Sequence, residues 1–139
     1  MKKIIVLSIC LFIALTSCSR EDDEVRETPL SKSLIGTWNL DYYVQNGVLT
    51  EEIICDELVE YVFLNNGTYT QTTFSGDGTT DCLTAVQING MWQDLGNNNY
   101  ELTPNGGGSS ALNITFQDDF TKFVTQVNTN RTEVYAKRR

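Results

Sequence analysis

Apolar and polar residues alternate along Leu34 to Val44. Leu34, Gly36, Trp38, Leu40, Tyr42 and Val44 fall on one side, and Ile35, Thr37, Asn39, Asp41 and Tyr43 on the other. A period of two predicts a strand with one buried face. The same pattern returns over 58–64, 68–74, 86–93 and 99–103, then over Leu112, Ile114 and Phe116 set between Asn113, Thr115 and Gln117, and finally over 121–127 and 131–137. Between the runs stand residues that tolerate positive φ: Asn46-Gly47, Asn65-Asn66-Gly67, Gly96-Asn97-Asn98, Asp118-Asp119 and Asn128-Thr129-Asn130. The spacers 48–57, 75–85 and 104–109 read as longer loops, the first as a loop or a short helix. Eight short strands in a meander predict an all-β chain, an eight-stranded antiparallel up-and-down barrel that closes and so loses its edges.

The first quarter has a different pattern. Met1-Lys2-Lys3 is a basic head, and Ile4 to Leu15 is an apolar run too short for a stable membrane span, which needs about 20 residues. The pair reads as a secretory signal. Leu15-Thr16-Ser17-Cys18 closes it and resembles the lipobox of bacterial lipoproteins: an aliphatic residue, two small ones and a cysteine. The resemblance implies a signal peptide over 1–17, cleavage before Cys18, a diacylglycerol thioether on its sulfur and an acyl chain (palmitate-type) on its new amine. Several chains on one residue suffice for stable membrane anchoring. Ser19 stands where an Asp resembles an inner-membrane retention signal, which favours the outer membrane. Arg20-Glu21-Asp22-Asp23-Glu24 reads as a solvated tether and resembles the surface-export signal of some Gram-negative lipoproteins. The expected organisation is therefore signal peptide 1–17, lipidated acidic tether 18–33 and barrel domain 34–139.

Composition narrows the chemistry. The formal net charge is −8, and loss of Lys2 and Lys3 with the signal makes the remainder more acidic. An acidic surface repels nucleic acid, so no nucleic-acid partner is expected. The chain has no histidine, which removes the commonest general base and metal ligand together. We expect no enzyme activity, no cofactor and no metal. Asp77 and Asp81 in the 76–81 loop lack the ligand spacing of an EF-hand and read as a solvated turn. Gly106-Gly107-Gly108 lacks the Gly-Lys-Ser/Thr ending of a phosphate loop. Glu51, Glu52, Asp56 and Glu57 read as loop acids.

Gly36-x-Trp38 at the start of the first strand, the eight-strand meander and the lipoprotein leader together resemble the lipocalin-like lipoproteins of Gram-negative bacteria. The resemblance implies that Gly36 and Trp38 form the motif closing one end of the barrel. It also implies that a late Arg packs over the Trp; Arg138 lies at the correct end of the last strand for this, and Arg131 does not. The function it implies is a non-catalytic module for a small apolar ligand; the alternative is an envelope accessory protein whose filled barrel docks a protein partner.

In a meander, alternate loops share an end. The loops 45–57, 75–85, 104–110 and 128–130 gather opposite Trp38, and the tighter 65–67, 94–98 and 117–120 lie beside it. Long loops carry binding surfaces, so any pocket opens at that far end. The inward aromatic and aliphatic residues Tyr42, Tyr61, Phe63, Ile88, Leu112, Ile114, Phe116 and Phe123 are the candidate ligand lining, although each also suits a packed core. Cys10 leaves with the signal and Cys18 takes the lipid, so Cys55 and Cys82 form the remaining pair, most simply a disulfide in an exported chain. If Asn66-Gly67 is a two-residue turn, Asn65 faces Thr68 and Cys55 faces position 78, with Cys82 four residues on. Both cysteines then sit at the long-loop end, within bridging reach.

Overall fold

A bulge in the first strand decides which side chains enter the barrel. The computed structural model describes residues 34–139; the expected signal peptide 1–17, the lipid site Cys18 and the tether 18–33 lie outside the described residues. The strands are β1 (Gly36–Gln45), β2 (Val48–Thr50), β3 (Val59–Phe63), β4 (Thr68–Ser75), β5 (Leu83–Gly96), β6 (Asn99–Pro104), β7 (Ser110–Gln117), β8 (Lys122–Asn128) and β9 (Arg131–Lys137). Each pairs antiparallel with the next around the ring from β3 to β9, and β1 pairs with both β3 and β9. Closure thus uses eight strands. The three-residue β2 pairs only with the end of β1 and lies outside the ring. It occupies part of the segment expected as loop or helix, where Cys55–Glu57 adds one 3-10 turn.

In the β1–β9 ladder Leu40 faces Tyr135, but Tyr42 faces Val134, so Asp41 is the extra residue. A bulge reverses the alternation beyond it. Trp38 and Leu40 point inward before it, and Tyr43 points inward after it. Tyr42 is therefore not a lining residue. It stands outside, half-buried, with the Lys122 amine 5.7 Å from its ring centre. Lys122 also binds the Asp41 carboxylate at 2.9 Å.

The hairpin β3–β4 differs from expectation by one residue. Leu64 N–H donates to Thr68 O at 2.9 Å and Phe63 faces Tyr69, so the loop is Asn65-Asn66-Gly67 rather than the pair Asn66-Gly67. Only Gly67 takes positive φ, at 81°, the geometry of a three-residue loop with a left-handed last residue. Face parity demands it. Tyr61, Phe63 and Tyr69 can all point inward only if odd positions face odd positions, and a two-residue loop would put Tyr69 outside.

The core sits at the short-turn end. Trp38 is 0% exposed; its indole N–H donates to Leu34 O at 2.7 Å, satisfying the polar handle of a buried ring. Phe123 lies edge-on at 4.9 Å and Phe116 at 6.2 Å. Phe63, Tyr69, Trp92 and Tyr100 continue the aromatic layer. The basic residue over Trp38 is Lys137, its amine 5.1 Å from the ring, not Arg138. Lys137 is the direct β9 partner of Trp38 and shares its face; Arg138 takes the opposite face and reaches Glu60 at 3.6 Å.

Candidate functional site

The opposite half of the barrel is hollow. Beyond the aromatic layer a cavity of about 200 Å³ is lined by Tyr61, Leu102, Ser110, Ala111, Leu112, Thr125, Gln126, Val127, Glu133 and Tyr135. These residues come from β3, β6, β7, β8 and β9, whose long-loop ends meet there. The ring is uneven at that end. β5 runs 14 residues, but only Gly90–Gly96 pairs with β6; Leu83 to Asn89 continue upward with β4 as neighbour. The β4–β5 hairpin therefore rises above the low β6–β7 wall. By register Ile88 faces inward opposite Gln71, which itself faces Tyr61. Yet Ile88 is 37% exposed and Val86 55%, because among the described residues none covers the mouth in front of them.

The disulfide between Cys55 and Cys82, with Cα atoms 5.2 Å apart, pins two of the long loops to this rim. The backbone supports it. Cys55 N–H donates to Gly78 O at 2.7 Å and Asp56 N–H to Gly76 O at 3.2 Å, while Gly76 N–H donates to the Asp56 carboxylate at 2.8 Å. Asp56 is thus a loop brace. Gly76 is required there, since its φ is 137° and a Cβ would lie 3.2 Å from that of Cys55.

A polar ladder runs down one wall. The Arg131 guanidinium donates through one NH2 nitrogen to the Gln45 side-chain oxygen at 3.2 Å and through Nε to Glu133 Oε1 at 2.7 Å. The Tyr135 hydroxyl donates to Glu133 Oε2 at 2.8 Å, and the Tyr61 ring meets that of Tyr135 edge-on, with centroids 5.4 Å apart. Glu133 is only 9% exposed; a carboxylate at that depth needs such partners. The Arg131 group also lies 3.9 Å from the ring centre of Tyr43, a cation–π contact, and the Tyr43 hydroxyl donates to Glu57 Oε1 at 2.9 Å. Burial pushes the Tyr61 phenol up to about 12, with the negative charge of Glu133 adding to it. Tyr135 is raised further, again by burial first, then by Tyr61 and Glu133. Both phenols are therefore protonated at neutral pH.

Of the eight candidate lining residues, Tyr61 and Leu112 line the cavity. Phe63, Ile114 and Phe123 are buried, and Phe116 packs against that core. Ile88 borders the open mouth and Tyr42 is outside. The aromatic residues fill the plug, and the hollow is lined largely by polar groups. Sequence reasoning missed Arg131, Glu133 and Tyr135. Their signal was present: 131, 133 and 135 share one face of a strand, and the aromatic residue in that row marks the inward side.

The fold is that of a lipocalin-like barrel, closed by eight antiparallel strands with Trp38 under one end. Solved structures of similar fold include two from Bacteroides. One is a lipocalin-like protein from Bacteroides uniformis ATCC 8492, 14% identical, with a TM-score of 0.53 over 76% of this chain and 98% of that one. The other is an uncharacterized protein from Bacteroides eggerthii DSM 20697, 13% identical, with a TM-score of 0.52 over 76% of this chain and 100% of that one. At such identities the likeness concerns the fold. No protein-family model and no curated protein matches the chain.

Proposed function

We propose that this chain is a non-catalytic binding module, anchored to the outer membrane by lipid on Cys18, that takes a small ligand through the long-loop mouth of its barrel. The hollow half of the barrel carries this reading. A cavity with a few convergent polar groups at the mouth of a barrel is where a ligand would sit. At the volume of liquid water the space would hold roughly seven water molecules, so the ligand is small. The leader supports the anchor: a basic head, a short apolar run and Leu15-Thr16-Ser17-Cys18. The lack of histidine supports a binding role over catalysis. The alternative, an accessory protein docking a partner, has the exposed β4–β5 hairpin in its favour, with Leu83 70% exposed. It does not require the hollow.

Native mass spectrometry of the chain extracted from its own membrane tests both parts. The expected result is a Cys18 N-terminus carrying thioether diacylglycerol and an acyl chain, with a small non-covalent adduct on the barrel. An unmodified chain in the soluble fraction refutes the anchor. A barrel that is always bare, or that retains a protein subunit instead, refutes the ligand.

A further inference from the structure

We infer that the cavity takes a neutral, hydroxyl-rich molecule of about one sugar ring, held by Glu133 and Tyr61. This rests on the ligand-binding reading above and gives its chemistry. The argument is an inventory of donors and acceptors. A carboxylate offers about four acceptor positions. On Glu133, Arg131 Nε takes one and the Tyr135 hydroxyl another, leaving acceptor capacity beside the cavity. The single Tyr135 proton goes to Glu133, and the Tyr61 hydroxyl in the lining offers its lone pairs as further acceptors. Thr125 donates its proton to Asn113 O at 2.9 Å, so its oxygen is likewise an acceptor. These lining groups therefore ask for donors.

Charge selects among donors. Arg131 already balances Glu133 at 2.7 Å, so the site holds no bare negative charge for a cation. The chain's net charge of −8 works against an anion. A neutral molecule with several hydroxyls fits both conditions. Leu102, Leu112 and the Tyr61 ring supply the apolar surface that the C–H faces of a sugar need. A purely apolar ligand would strip water from Glu133 and Tyr61 and return no hydrogen bond.

Saturation-transfer NMR on the full chain in detergent micelles tests the class. The probes are D-glucose, D-galactose, D-mannose, D-xylose, N-acetyl-D-glucosamine and myo-inositol, against hexanoate and n-butylammonium. At least one neutral polyol is expected to bind saturably. Its affinity is expected to fall about tenfold in Glu133→Gln, the loss of a hydrogen bond to a charged group, and measurably in Tyr61→Phe. Asp94→Asn, at the other end of the barrel, leaves it unchanged. If Glu133→Gln does not fold, Tyr61→Phe decides. Saturable binding of hexanoate or butylammonium, sensitive to Tyr61→Phe and without any polyol binding, overturns the class but keeps the site. Absence of binding by every probe overturns the class; with a bare barrel in native mass spectrometry, the site falls too.

Discussion

Breaking the Cys55–Cys82 link offers a quantitative test of how the rim is held. The bridge spans 27 residues; chain entropy then assigns it about 3.5 kcal/mol, lost when the cross-link leaves the unfolded chain free. The native side changes little. Cys55 N–H stays on Gly78 O, Asp56 N–H on Gly76 O, and Gly76 N–H on Asp56, so reduction leaves both loops stitched. Cys82→Ser is the suitable variant: Cys82 is half-buried, whereas trimming the buried Cys55 would add a cavity. For a domain of this size the loss lowers Tm by roughly 15 °C. Urea unfolding of the full chain with and without reductant, beside Cys82→Ser, measures it. Reduced wild type and variant are expected to agree within about 1 kcal/mol, both with a larger m, since an unlinked chain exposes more surface. A loss under about 1 kcal/mol, or an unchanged m, would refute an effect on the unfolded chain.

Other substitutions and conditions have equally definite outcomes. Gly90→Ala would drive a Cβ into Thr103 O, with Tyr69 Cε1 at 2.7 Å and Pro104 Cα at 2.8 Å; a loss of about 1–3 kcal/mol or more in chemical denaturation is expected, and a neutral result would mean that β5 and β6 can part. Trp38→Ala removes the fully buried ring and costs about 3–5 kcal/mol by the same assay; a cost below 1 kcal/mol would mean that Trp38 does not hold the plug together. Alkali acts through the phenols. Tyr61 and Tyr100 are each raised to about 12, chiefly by burial, so the folded chain keeps protons that the unfolded chain loses above about pH 10. Stability is therefore unaffected by these groups below about pH 10 and declines as pH climbs toward 12. Urea midpoints from pH 9 to 11.5 check this, and a flat profile would contradict the burial of these rings.

The alternation of apolar residues, with Asn and Gly at the turns, was enough to place all eight barrel strands, because a strand's faces and a hairpin's turn are local properties. Counting strands also set which loops share an end, so the mouth and the Cys55–Cys82 pairing were legible before any coordinate. Other features were not, the one-residue shift of the β3–β4 loop and the short β2 among them. The Asp41 bulge exchanges Tyr42 for Tyr43 inside the barrel, and it depends on how β1 meets β9 and Lys122, residues about ninety and eighty positions away. Lys137 takes the place over Trp38 that Arg138 was expected to fill, because cross-strand register chooses the odd residue. The division of the interior into aromatic plug and polar hollow depends on strand heights around the ring. Sequence could say that Phe63, Phe116 and Phe123 point inward; only closure decided that Phe116 and Phe123 pack against Trp38, that Phe63 joins the layer through Tyr69 and Trp92, and that the space beyond is left to Glu133, Tyr135 and Tyr61. Local periodicity fixes direction, while the filling of a barrel is a property of all its walls at once.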